Sequence, residues 1–349
     1  MKIACSADIH SHAYKEFNII SPGTGNSRLD EIISGLVGVK DYCLKNGIKH
    51  VLIAGDMFQK RGAVETVVFN STYDAVDNMS ECGLMIWIIA GNHDQANKKD
   101  KPENSLHAFK KISGVTVIDE PTMVYLDPET PVWALPYNKN GEKIKELVAN
   151  PPETPNKPIL LAHLGVSGAF VGVDSYSMQD YFTVEDLHPD KYQYGVLGHY
   201  HHPQNLADAS HFFYCGSPLQ NNFNDEGNRG FMVIDTNKRF DMTFVDIPAP
   251  RFITIENYED EEWDLSTLMN DYVRFMVTSD KVQDLLTKIP EGLRYKIIAK
   301  KVYEEVARAN VKIGMSFEQI VSNYANEFNP EALQIGLDLL KEVQNGTGS

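Results

Sequence analysis

Asp8, His10, Asp56, Asn92, His163, His199 and His201 each stand at or just after the end of an apolar run. Carboxylate, amide and imidazole donors in a mixed set suit Mn, Fe or Zn better than Ca. In Asp8-Ile9-His10 the two donors are two residues apart. On an extended segment they point the same way and can face one ion. His199-Tyr200-His201 repeats that spacing. Gly91-Asn92-His93-Asp94 closes the apolar run 84–90 with a tight turn, an amide, an imidazole and a carboxylate in succession. Such a row can hold a metal and a reacting oxyanion. Two divalent ions ~3.5–4 Å apart need a shared ligand, and a carboxylate can bridge them. A lone DxH, GD or HxH arises by chance in many proteins. Five such sets, all at strand ends, are required by a metal centre and by nothing in folding alone.

The elements that must position these side chains follow from the hydrophobic pattern. Residues 2–7, 49–54 and 84–90 read as strands. Between them, 29–37 and 64–82 carry apolar residues at helical spacing. Three β-then-α units in ninety residues predict an α/β fold with a largely parallel start. Ligands then collect where the strands end. A short helix near 105–112 and strand-like runs at 115–118, 123–126 and 132–135 follow. The Pro-rich stretch 151–158 is a surface connection. Strands 159–162 and 194–197 end in His163 and in Gly198-His199. The aperiodic stretch 165–190 reads as a long functional loop. Runs 212–215, 230–234 and 242–247 are expected to complete a second, mostly antiparallel sheet. Pro248-Ala249-Pro250 marks a boundary. The expected division is a core at 1–250, a small α/β cap at 251–312 and a helical segment at 313–349. In that last segment, Ser316 and Gln319 have the spacing of a capping box. Phe317, Ile320, Val321, Tyr324 and Phe328 lie on one helical stripe. Asn329 and Pro330 suit the start of a second helix.

The chain has 349 residues and a net charge of -16, with 42% hydrophobic residues. That suffices for a sizeable core and argues against a protein held to nucleic acid by bulk charge. It leaves room for DNA gripped at a local patch. The candidates are Lys60-Arg61 and Lys98, Lys99 and Lys101, with Phe170, Tyr176 and Tyr181 as stacking aromatics. Cys5, Cys43, Cys82 and Cys215 show no CxxC spacing and read as reduced thiols of a cytosolic protein. The N-terminal strand lacks a signal-peptide pattern, and no run approaches the ~18 apolar residues that would span a membrane.

Taken together, Asp8-x-His10, Gly55-Asp56, Gly91-Asn92-His93-Asp94, Ala162-His163 and Gly198-His199-x-His201 resemble the five motifs of the calcineurin-like metallophosphoesterases. The resemblance covers roughly residues 1–250. It implies an αββα sandwich with a two-metal site, to which the residues beyond 250 add the small α/β cap and C-terminal helices expected above. One ion would be held by Asp8, His10, Asp56 and His201. The other would be held by Asp56, Asn92, His163 and His199, with Asp56 bridging. His93 would be catalytic, acting on the leaving group or the phosphoryl transition state, and Asp94 would orient it.

Within the family, protein Ser/Thr phosphatases carry GDxxDRG, which Gly55-Asp56-Met57-Phe58-Gln59-Lys60-Arg61-Gly62 does not match. Gly55-Asp56-x-Phe58, and Tyr214-Cys215-Gly216-Ser217-Pro218 followed by Gly230-Phe231, resemble the SbcD-type repair nucleases. The resemblance is to their phage members in particular, counterparts of the eukaryotic meiotic recombination nuclease. Some of these nucleases carry a His three residues after the bridging Asp, where this chain has Gln59. The resemblance implies a Mn2+-dependent DNA exonuclease and endonuclease of recombination, repair or replication. It further implies two divalent ions, a homodimer, an SbcC-type coiled-coil ATPase partner and a bacterial or phage-infected host cytoplasm. A phosphoesterase of small nucleotides or metabolites and a non-catalytic DNA-end-binding scaffold are the alternatives.

Overall fold

The computed structural model describes residues 1–97, 102–170, 182–256, 258, 263–300, 311 and 314–344. They group into two compact units, Met1–Met276 with Lys288–Ile298, and Val277–Thr287 with Ala299–Ser349.

The first unit is built on two six-stranded sheets. The first sheet contains β1 (Lys2–Ser6), β2 (His50–Ile53), β3 (Met85–Ile89) and β4 (Val115–Ile118), all parallel. Helices α1 (Ser27–Lys45) and α2 (Thr66–Glu81) make the first two crossovers. The second sheet contains β5 (Thr122–Asp127), β6 (Thr130–Leu135), β7 (Ile159–His163), β8 (Tyr194–Gly198), β9 (Gln204–Leu206) and β10 (Ala209–Tyr214). It runs in the order β5-β6-β7-β8-β10-β9. Helix α3 (Gly141–Ala149), which the sequence reading left out, is capped by the Asn140 side chain and packs on this sheet.

Side-chain alternation fixes the layering. In β1, Ile3 and Cys5 point into the space between the sheets, where they join Leu52, Ile89, Val132, Leu161, Val196 and Phe213. Ala4, on the opposite face, packs with Leu29, Leu36 and Val76 of α1 and α2. On the far face of the second sheet, Leu160, Leu197 and Phe212 pack with Ile144 and Val148 of α3. The result is an αββα sandwich, as expected.

One sheet assignment is corrected. Strands β11 (Gly230–Asp235) and β12 (Asp241–Asp246) do not join the second sheet. They extend the first sheet in the order β12-β11-β1, with β11 antiparallel to β1. The second sheet is also parallel at its centre, from β6 through β10. Apolar runs report that a strand is buried but not which edge receives it, so local pattern could not place β11 and β12.

A three-stranded sheet follows, β13 (Phe252–Glu256), β14 (Tyr272–Thr278) and β15 (Arg294–Lys300). Phe252 and Tyr272 cluster with Phe17 and Phe223 of the sandwich, and the Arg28 guanidinium lies over both Phe252 and Tyr272. In the second unit, α4 (Val282–Lys288) is followed by α5 (Phe317–Phe328) and α6 (Leu333–Gln344). The expected capping box of Ser316 and Gln319 is present. Asn329 and Pro330 introduce a short 3-10 turn rather than α6 itself, which begins at Leu333. Among the described residues, no helix is long and apolar enough to cross a membrane, and the four cysteines are free thiols.

Candidate metal centre

The seven candidate ligands converge at the ends of strands from both sheets. Asp8 and His10 follow β1, Asp56 follows β2 and Asn92 follows β3. His163 ends β7, while His199 and His201 follow β8. The backbone bends sharply to deliver them: Asp8, His10, Asp56 and His199 all have positive φ, at 52°, 48°, 55° and 109°. Non-glycine residues avoid that region, and such strain concentrates where surrounding structure forces it for function. Backbone hydrogen bonds hold the loops in register, with Asp8 N–H donating to Gly55 O and His10 N–H to Asp56 O, both 3.0 Å.

Two motif glycines are needed for close approach. Gly55 has φ +92°, and a Cβ there would lie 2.5 Å from His163 Nδ1. A Cβ on Gly91 would overlap the carboxylate and backbone nitrogen of Asp56. Glycine at these two positions lets three loops meet around Asp56 and His163.

Two groups of donors result. Asp8, His10 and His201 form one, and Asp8, Asp56 and His163 the other, each with ligand atoms within 4.8 Å of one another. Asp56 Oδ2 also spans both sides, 3.4 Å from His163 Nε2 and 3.8 Å from His10 Nε2. Asn92 Oδ1 lies 2.9 Å from His163 Nε2 and 3.2 Å from His199 Nδ1. His199 N–H donates to both oxygens of Asp8, at 3.1 and 3.0 Å.

The tautomers implied by the outer contacts fit divalent ions. His163 Nδ1–H donates to Ala54 O at 2.7 Å, so Nε2 carries the lone pair. That lone pair faces the oxygens of Asn92 and Asp56, an arrangement of acceptors that only a proton or a cation can reconcile. Burial opposes charge on His163, but the Asp56 carboxylate outweighs it and raises the imidazole to about 9. Burial likewise opposes charge on Asp56, yet His163 and His10 hold its carboxyl well below the usual range. Burial pushes His10 and His199 down to about 3 and Asp8 up to about 6. His10 Nδ1 is buried without a hydrogen-bond partner among the described residues.

His93 stands at the edge of this centre, its ring centroid 4.9 Å from that of His10. Its Nδ1–H donates to Gln59 O at 2.6 Å, and its backbone N–H to Asp56 Oδ1 at 2.8 Å. The expectation that Asp94 orients this ring is corrected. The Asp94 carboxylate turns inward and accepts from the backbone N–H groups of Gly91, Met57 and Phe58 at 3.0, 3.3 and 3.1 Å. It ties the Gly55-Asp56 loop to the Gly91-Asn92 loop, and a backbone carbonyl fixes His93 instead. Burial, with Asp56 nearby, raises Asp94 to about 7.

One contributor was missed in the sequence. Asp225 Oδ1 lies 3.3 Å from His201 Nδ1, which commits the ring proton outward and leaves Nε2 facing the centre. Asp225 is buried, accepts from Asn221 N–H at 2.8 Å and lies 3.8 Å from Arg229 Nη2. An Asp four residues before an Arg in an Asn-rich loop was its only local signal. Of the proposed cationic contacts, Lys60 pairs with Glu65 at 2.7 Å on the surface. Lys98, Lys99, Lys101, Tyr176 and Tyr181 lie outside the described residues.

An αββα sandwich carrying clustered Asp, Asn and His donors at its strand ends is the architecture of a dimetal phosphoesterase. The calcineurin-like phosphoesterase family matches residues 1–203, and the chain belongs to that family. It is similar to exonuclease subunit 1 of Enterobacteria phage T4, 26% identical over 211 residues, 58% of each chain. It is also similar to YhaO of Bacillus subtilis, an uncharacterized metallophosphoesterase, 22% identical over 236 residues, 63% of this chain and 55% of the relative. The matches thus span a little over half of each relative's length. A dimetal phosphatase from Danio rerio aligns with 67% of this chain and 91% of its own at 9% identity and a TM-score of 0.41.

Proposed function

We propose that this chain is the nuclease subunit of an SbcCD-type complex, hydrolysing phosphodiester bonds at DNA ends in recombination, repair or replication. The observation that carries the reading is the clustering of the seven candidate ligands where strands of both sheets end, with His93 beside His10. The likeness to a phage exonuclease subunit supports DNA as the substrate.

Asp8, His10, Asp56 and His201 would hold one divalent ion, and Asp56, Asn92, His163 and His199 a second, with Mn2+ the proposed metal. When bound, the two ions supply concentrated positive charge at the phosphoryl oxygens and activate a water for in-line attack. The chain's own groups do the rest. Asp56 and Asp8 fix the spacing between the two sides of the centre. Asp225 and Ala54 O keep His201 and His163 in the ligating tautomer. His93 gives a proton to the leaving sugar oxygen, and Gln59 O, accepting from Nδ1–H, orients the ring for it.

The proposed partner is an SbcC-type coiled-coil ATPase, in an assembly where this chain is a homodimer. The docking element is the α5–α6 hairpin. Phe317, Tyr324 and Phe328 of α5 and Ile335, Leu339 and Val343 of α6 are all more than half exposed. Apolar stripes of this kind accept partner helices. The proposed division of labour is a nuclease core at 1–250, a cap at 251–312 and a partner-binding segment at 313–349.

The test is a nuclease assay on linear duplex, single-stranded and hairpin DNA with Mn2+, Mg2+ or EDTA. Metal-dependent cleavage abolished by EDTA is expected. Hydrolysis of mononucleotides without cleavage of DNA would overturn the reading in favour of a small-molecule phosphoesterase. DNA-end binding without turnover would overturn it in favour of a scaffold.

A further inference from the structure

Phe170 is an aromatic residue that the fold does not need for its core, yet holds firmly in place. Its ring is 44% exposed. Its backbone is clamped from both sides by one side chain: Phe170 N–H donates to Gln204 Oε1 at 2.7 Å, and Gln204 Nε2 donates to Phe170 O at 2.8 Å. The loop that carries it is anchored elsewhere. Val166 and Phe182 are buried, Val166 N–H donates to Tyr214 Oη at 2.9 Å, and Ser167 N–H donates to Phe182 O at 2.8 Å. Phe170 is therefore not the pin that closes the loop.

The ring packs against a neighbour in sequence of the candidate ligands. Its edge meets His202 with centroids 5.0 Å apart and planes at 72°. His202 follows directly on the candidate ligand His201. Its Nδ1 accepts from Arg229 Nη1 at 3.3 Å, Arg229 Nη2 lies 3.8 Å from Asp225, and Asp225 accepts from His201 Nδ1–H at 3.3 Å. A continuous run of contacts thus fixes the exposed aromatic relative to the ligating imidazole.

A half-exposed aromatic linked by this run of contacts to a candidate phosphoryl-transfer centre can recognise the flat group attached to the phosphate. We infer that Phe170, braced by His202 and Gln204, is a stacking platform for an unpaired nucleobase of the nucleotide next to the scissile phosphate. The inference rests on the nuclease reading above and deepens it: the substrate enters the centre as an unstacked strand. Stacking is tolerant of base identity, because every base has a π-face, so the platform adds affinity without sequence specificity. Gln204 is a positioning residue that acts through Phe170.

The test compares two single-stranded oligonucleotides, one intact and one abasic at the nucleotide flanking the cleaved bond. Phe170→Ala should lower kcat/KM on the intact strand about tenfold, mostly through KM, and leave the abasic strand nearly unchanged. Phe170→Trp should keep the preference for the intact strand. Gln204→Ala should show the same selective loss as Phe170→Ala, with manganese stoichiometry unchanged in both. Equal losses on both strands, or no loss on either, would overturn the platform while leaving the nuclease reading intact. A wild-type protein that cleaves neither strand would instead bring down the nuclease reading and the platform with it.

Discussion

The Nε2 atoms of His10 and His201 face each other at 3.0 Å. Each ring nitrogen needs a partner of opposite character. His201 has committed its Nδ1–H to Asp225 at 3.3 Å, so its Nε2 is an acceptor. His10 Nδ1 has no partner among the described residues, so its single proton sits on Nε2, between the rings. For both Nε2 lone pairs to face an ion, the His10 proton would have to move to Nδ1, whose position is open to it. The pair is thus a candidate coordination site whose two facing nitrogens share a hydrogen bond.

Asp225→Asn tests this directly. The amide can still contact His201 but no longer stabilises the ring's basicity, and loss of such outer partners typically costs about 10–100-fold in metal affinity. A chelator-competition titration should find weaker binding at one of two sites, with activity recovering at high metal. Unchanged affinity at both sites would show that something else orients His201.

The His163–Asp56 pair also makes a prediction about pH. His163 is raised to about 9 and Asp56 is held low, so near neutrality they form a charged pair. The sign follows from the raised folded value. The stability that His163 contributes is complete below its unfolded value near 6.5 and is lost as pH rises through about 9. Metal binding must remove the same proton from Nε2, so affinity should increase with pH up to about 9. Calorimetry in two buffers of different ionisation enthalpy should detect proton release at pH 7. His10 and His199, held near 3 by burial, contribute none.

His93→Asn separates chemistry from assembly. The ring touches Gln59 O and stands beside His10, but it belongs to neither donor group. The variant should retain two ions by elemental analysis and fall about 10²–10⁴-fold in rate, the usual cost of losing a general acid. Loss of an ion would reassign His93 as a ligand.

The cluster of candidate donors was more legible in the sequence than the topology. Donor chemistry is written in residue type, and strand ends are visible as the places where apolar runs stop, so Asp8, His10, Asp56, Asn92, His163, His199 and His201 could be picked out. The contacts that tune them are not written locally. Asp225 reaches His201 only because the loop before β11 returns to the catalytic edge, and Asp94 proved to bind backbone rather than His93. The same non-local step hid the place of β11 beside β1. Helix α3 was missed because nine residues carry too few turns of periodicity to stand out, although Asn140 marked its start.

The C-terminal hairpin gives the last prediction. Val321 of α5 turns toward α6, and Gly336 allows the close approach: a Cβ there would come within 2.9 Å of Val321 Cγ1. That contact consumes only part of the apolar stripe read from the sequence. Phe317 and Tyr324 remain 69% and 57% exposed, as do Ile335 and Leu339 at 63% and 57%. Substituting Phe317, Tyr324 and Leu339 together by Ser removes exposed surface and spares Val321 and the buried Ala325. Stability should therefore hold, since exposed substitutions away from packing features usually stay within ±0.5 kcal/mol each. Nuclease activity on short single-stranded DNA should also hold. Co-purification with the coiled-coil ATPase, and any stimulation by ATP, should be lost. A large fall in melting temperature would place these side chains in a packed interior. Unchanged ATPase binding in a stable variant would move the docking surface away from the hairpin.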